Sequence, residues 1–219
     1  LPDYTESVAA VHDTPPAELH VDATGQALLT AWAAGEYAAV TASGARRGVT
    51  VGEVPAEVAI DGAWQVAFQP ERGAPAPATF PELGSYASSD VPGIKYFSGT
   101  ATYSKRFEVP PALLAEGTAL CLDLGSVREM ARVRLNGKDI GLLWKAPFRL
   151  DVTKAARVGS NDLQIEVTNL WMNRIIGDEQ LPPDCEWSGS ALKAWPDWLL
   201  QGNARPETGR IAFTTWRHY

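Results

Sequence analysis

The feature that most constrains this chain is a period of two in its apolar residues between Thr100 and Thr168. Tyr103 to Val109, Leu120 to Leu124 and Ala131 to Leu135 carry apolar or amphipathic side chains at alternate positions. So do the sets Ile140, Leu142, Trp144; Phe148, Leu150, Val152; and Leu163, Ile165, Val167. A period of two means one buried and one solvated face, hence antiparallel strands. Asn136-Gly137 sits between two such runs. Both residues tolerate positive φ, which predicts a two-residue hairpin. Gly159 to Asp162 reads as a further turn, and Pro110 to Leu114 as a short helical turn opened by proline. Many short strands with regular turns predict a sandwich or barrel.

Trp64, Val66 and Phe68 add one strand upstream, followed by a Pro-, Ala-, Gly- and Ser-rich loop over Pro70 to Pro92. Gln26 to Ala34 is Ala-rich, but the turns at Gly35 and Ser43-Gly44 favour strands there. A boundary near Pro55 to Asp61 divides the chain into a small β-rich module, 1–58, and a sandwich, 59–219. Beyond Leu170 the pattern is irregular, with a final strand predicted from Arg210 to Trp216. The expected class is therefore all-β: an antiparallel jelly-roll β-sandwich preceded by a small β-rich module.

A chain of 219 residues with 45% hydrophobic and 21% charged residues buries a sizeable core. Its net charge of −7, with no basic cluster beyond Arg46-Arg47 and Lys105-Arg106, argues against nucleic acid and anionic membranes. The longest apolar run is far short of a spanning helix, so a soluble chain is expected. The opening Leu1-Pro2-Asp3-Tyr4 lacks Met and a signal peptide, as expected of a processed or truncated product. Cys121 lies in a strand pattern and reads as a small buried residue; with Cys185 it allows one disulfide without requiring it.

No nucleophile elbow, phosphate loop or dinucleotide fingerprint occurs, and His12, His20 and His218 show no metal-ligand spacing. The tail carries the chemistry-bearing residues. Asp178, Glu179, Asp184 and Glu186 are the candidate carboxylates to flank a glycosidic bond, and as oxygen donors they are also the candidates for calcium. Their spacing fits no EF-hand loop, and carboxylates in turns commonly cap backbone N–H groups. The expectation is no catalytic and no metal-binding residue. Trp64, Trp144 and Phe148 read as core. Trp171, Trp187, Trp195 and Trp198 fall outside clean strand patterns, and three roles are open: stacking on sugar, packing a domain interface, or covering the open end of the sandwich.

Several separated motifs then resemble a known family. Leu135 to Gly141, Pro147 to Thr153 and Gly159 to Leu163 resemble the sugar-binding jelly-roll domain of glycoside hydrolases related to β-galactosidase. Pro92 to Tyr103, Leu142 to Phe148, Val167 to Gln180 and Phe213 to Tyr219 resemble the C-terminal region of α-L-rhamnosidases of glycoside hydrolase family 106. The resemblance implies a parent enzyme, periplasmic or secreted, that removes L-rhamnose from glycans. Its acid, base and calcium site would lie in a (β/α)-barrel, and none carries over to a position here. This segment would be a non-catalytic accessory region, partnered by that barrel and by rhamnose-containing glycan. Trp171, Asn173, Arg174, Asp178, Glu179, Trp187, Trp195 and Trp198 are the residues expected to bind carbohydrate or to meet the barrel. Two alternatives stand beside it: a self-sufficient carbohydrate-binding module, and a small hydrolase using Asp178 or Glu179 with Glu186.

Overall fold

The computed structural model describes residues 15–21, 23–75, 77–206 and 210. His12, His218, the strand predicted beyond Arg210 and the motif Phe213 to Tyr219 lie outside them. Two hairpins come first: β1 (Ala17–Val21) with β2 (Ala27–Ala31), and β3 (Gly35–Val40) with β4 (Arg46–Val51). The strand reading of the Ala-rich segment therefore holds. Neither hairpin joins another sheet among the described residues.

Next come β5 (Trp64–Phe68), β6 (Ala78–Phe80), α1 (Pro92–Lys95), β7 (Thr100–Val109), β8 (Cys121–Asp123), β9 (Met130–Leu135), β10 (Lys138–Leu143), β11 (Arg149–Asp151) and β12 (Gly159–Thr168). Six of these strands form one antiparallel sheet in the order β10-β9-β12-β7-β5-β6. The β8–β11 pair forms a second, thinner layer. Between the layers lies the core: Trp64 and Val66 from β5, Ala101 and Tyr103 from β7, Val133 and Leu135 from β9, Leu163 and Ile165 from β12, closed by Leu122 and Val152. These are the alternate residues that the periodicity predicts. The Asn136-Gly137 turn also stands where expected, with φ of 52° and 77°.

Four local expectations are corrected. Gly159 to Asp162 is not a turn but the start of β12, paired with the end of β7. Asn161 makes this possible: wholly buried, it accepts from Arg157 N and Asn136 Nδ2, and donates to the carbonyls of Arg157 and Gly159. The Pro70–Pro92 loop contains β6 and a 3-10 turn at Tyr86–Ser88. Its Phe80 lies edge-on to Tyr103 and tilted against Phe68, its Tyr86 edge-on to Phe68 and Phe97, and that aromatic burial anchors a segment of loop-like composition.

The third correction is Trp144, which is 66% exposed rather than core. The ladder between β10 and β9 shifts register between Asp139 and Gly141. This bulge inverts the parity beyond it, so Leu143 pairs with buried Ala131 while Leu142, 52% exposed, and Trp144 face outward. Trp64 and Phe148 are buried as expected. The fourth is the tail, which is less irregular than it reads: α2 (Met172–Asp178), the hairpin β13 (Glu186–Ser188) with β14 (Ala191–Ala194), and α3 (Asp197–Leu200). Cys121 and Cys185 are both free thiols.

Candidate functional site

The chain enters the tail through a clamp. Asn169, just past β12, accepts from Gly99 N at 2.9 Å and donates to Phe97 O at 2.8 Å. The next residue in space is Ser98, whose Oγ accepts from Arg174 N of α2 at 2.9 Å. The start of α2 is thus pinned to the segment between α1 and β7. Asn169 and Ser98 are site-shaping residues that residue type alone did not single out; Asn169 lies inside the Val167 to Gln180 motif.

On α2 the polarity runs opposite to that of an ordinary surface helix. Arg174 and Asp178, one helical turn apart, point inward and pair at 2.8 Å, with Asp178 wholly buried. Gly177 lies on the same face, so close to Tyr96 that a Cβ would overlap the tyrosine ring carbon and its Cβ. The outward face is apolar: Met172 and Ile176, with Leu170 and Trp171 before them, are all about half exposed. Arg72 lies over the Trp171 ring, 4.9 Å from its centroid.

The other expected site residues are on separate elements. Trp187 is half-buried on β13, Trp195 precedes α3, and Trp198 on α3 has the Arg205 guanidinium 5.1 Å from its ring centroid. Asn173 on α2 and Glu179 at its C-terminal cap are partly exposed. Asp184, Trp198, Arg205 and Arg210 border a cavity of about 220 Å3. The Arg210 side chain donates to the carbonyls of Leu181 and Pro182.

This arrangement breaks up the four carboxylates. Asp178 is committed to Arg174, and Glu186 is on β13, bonded to Lys193 at 3.1 Å. Among the described residues no group of three His, Cys, Asp or Glu side chains could hold a metal ion. Asp178, Glu179, Asp184 and Glu186 are thus not gathered into such a group. A hydrolytic pair built on Asp178 fails as well, because a wholly buried, ion-paired carboxylate cannot reach a substrate. Among the described residues no helix is long and apolar enough to cross a membrane.

A further concavity lies mostly outside the site residues that the sequence singles out. A cleft of about 2290 Å3 runs between the first hairpins and the open side of the sandwich, lined in part by Leu28, Ile60, Trp64, Tyr86, Tyr103 and Ile165. Tyr103 donates to Tyr86 across 2.8 Å. Burial pushes both phenols above the ordinary tyrosine range, Tyr86 the further of the two.

Comparison with known proteins adds the family. Residues 93–198 match the model described as "Glycosyl hydrolase 2 galactose-binding domain-like". Residues 93–198 are therefore similar to a galactose-binding-like domain of the glycosyl hydrolase 2 type. The matched stretch takes in β7 to β12, α2 and the tail hairpin. A protein described as "Putative beta-glucuronidase" from Formosa agariphila is 48% identical over 177 residues, 81% of this chain and 15% of its own length. The solved rhamnosidase from Novosphingobium sp. PP1Y is 45% identical with a TM-score of 0.57, covering 75% of this chain and 15% of that one. The chain thus spans about one seventh of each of these relatives.

Proposed function

We propose that this chain is the non-catalytic accessory region of a longer glycosidase resembling the α-L-rhamnosidases of glycoside hydrolase family 106. It divides near residue 58 into a small β-rich module and the sandwich, and it docks onto a catalytic barrel through the outward face of α2. One observation carries this reading: α2 buries its ion pair and exposes Leu170, Trp171, Met172 and Ile176. A helix with its apolar face outward is built to be covered. The rhamnosidase likeness and the small share of that longer chain support the parent's identity. On this reading the parent acts in the periplasm or outside the cell on rhamnose-containing glycan.

The test compares Met172→Glu and Ile176→Glu in the isolated chain and in the full-length parent. Both side chains are about half exposed, so the isolated chain should melt within a degree or two of wild type, as for a surface change. The parent should lose melting temperature or shed the accessory region on limited proteolysis. Equal behaviour in both contexts would end the docking reading. The isolated chain should not hydrolyse aryl rhamnosides; hydrolysis abolished by Glu179→Gln would establish the small-hydrolase alternative instead.

A further inference from the structure

The core side of the six-stranded sheet is filled, but its outer side presents an ordered surface. The pairing register aligns Asp139, Arg134, Gln164, Ser104, Gln65 and Thr79 in one row across β10, β9, β12, β7, β5 and β6. At the usual strand spacing this row is about 24 Å long. It holds carboxylate, guanidinium, amide and hydroxyl groups in succession, donors and acceptors together. A second row, Leu142, Arg132, Glu166 and Thr102, lies beside it.

Three ion pairs lie on this face: Arg132 with Asp139 at 3.4 Å, Arg134 with Glu166 at 2.7 Å, and Arg106 with Asp162 at 3.0 Å. At one corner the surface turns apolar. Trp144, Leu142 and Met130 are exposed there, the first two turned outward by the bulge in β10, and Lys145 lies 5.6 Å from the Trp144 ring centroid. A polar outer face is ordinary for an antiparallel sheet. A tryptophan turned out at the end of it is not, because the strand's own periodicity would have buried it.

We propose that this outer face binds a neutral oligosaccharide, with one sugar ring stacked on Trp144 and the chain lying along the polar row. A sugar offers an apolar ring face and a rim of hydroxyls that both donate and accept. The corner suits the first and the row suits the second. The paired charges give little to attract a charged polymer, yet each guanidinium and carboxylate still has hydrogen-bonding capacity for hydroxyls. The site is built on residues other than the tail tryptophans, so it adds to the glycosidase-linked reading above and rests on it for the class of ligand.

The test is binding of the 219-residue chain to an array of neutral and uronic-acid oligosaccharides, with calorimetry on the tightest neutral ligand. Trp144→Ala should weaken that ligand about tenfold, the effect of losing one aromatic contact. Gln164→Ala should weaken it by a smaller factor, and Trp171→Ala should leave it unchanged. Both Trp144 and Gln164 are exposed, so the variants should keep the wild-type melting temperature. No binding to any neutral glycan at millimolar sugar, or binding unaffected by Trp144→Ala, overturns the proposal. Binding lost in Trp171→Ala but kept in Trp144→Ala overturns it too, moving the site to the tail. None of these results bears on α2 docking, which is read from melting in the full-length parent.

Discussion

At the scale of single residues, two buried polar groups fix the geometry that apolar packing alone would leave loose. Asn161 is fully buried with both ends of its amide satisfied. Replacing it by Ala removes these bonds and leaves the Arg157 and Gly159 carbonyls to find other partners. A loss of roughly 2 to 4 kcal/mol is expected, since each orphaned buried group costs about 1–3 kcal/mol. Denaturant unfolding at neutral pH would measure it, and a loss under 1 kcal/mol would mean that water replaces the side chain. Asp178 is the second case. Asp178→Ala leaves Arg174 as a buried cation without its carboxylate, and removing one partner of a buried pair costs about 3–5 kcal/mol. Met172→Ala, on the opposite face of the same helix, should cost far less. Comparable losses in the two variants would contradict the inverted polarity of α2. Asn161 lay in a sequence cluster that reads as a turn because Gly, Ser, Asn and Asp are turn formers; only its partners, Asn136 and Arg157, distant in sequence from one another, reveal it as core.

At the scale of elements, the period of two was legible wherever a strand kept one register. β7, β9 and β12 bury the residues that alternation selects, and the β9–β10 hairpin follows from Asn136-Gly137. It failed in β10 because a bulge is one extra residue, and nothing in the run Ile140, Leu142, Trp144 marks where it falls. The consequence is a sharp contrast between two tryptophans that look alike in the sequence. Trp64→Ala should destabilise by about 3–5 kcal/mol, as for a buried aromatic. Trp144→Ala should stay within about 0.5 kcal/mol, as for a surface position. Chemical denaturation of the two variants side by side decides it, and a large loss at Trp144 would place that ring in the core after all. The candidate site was half legible for a related reason. The motif containing Trp171 to Glu179 marks the right segment, but residue type could not say that its charges point in and its apolar groups out.

At the scale of the molecule, a six-stranded sheet faces a two-stranded layer, and a deep cleft opens where the second layer ends. Burial there depends on Tyr86 and Tyr103, whose hydroxyls meet within the aromatic cluster of Phe68, Phe80 and Phe97. Both phenols titrate above their ordinary value in the folded chain, chiefly because burial disfavours the phenolate. In the unfolded chain they ionise near pH 10. Between those two limits the unfolded state loses protons that the folded state keeps, so the pair favours folding below about pH 10 and progressively less above it. Melting temperature should hold on the neutral side and fall steeply once the pH passes that point. Lysines titrate in the same range, which is why the variant matters. Tyr86→Phe removes the more strongly shifted group and should flatten the alkaline limb, even though it lowers stability at neutral pH by losing the bond to Tyr103. An alkaline limb as steep in the variant as in the wild type would mean that the tyrosine pair is not what couples this fold to pH.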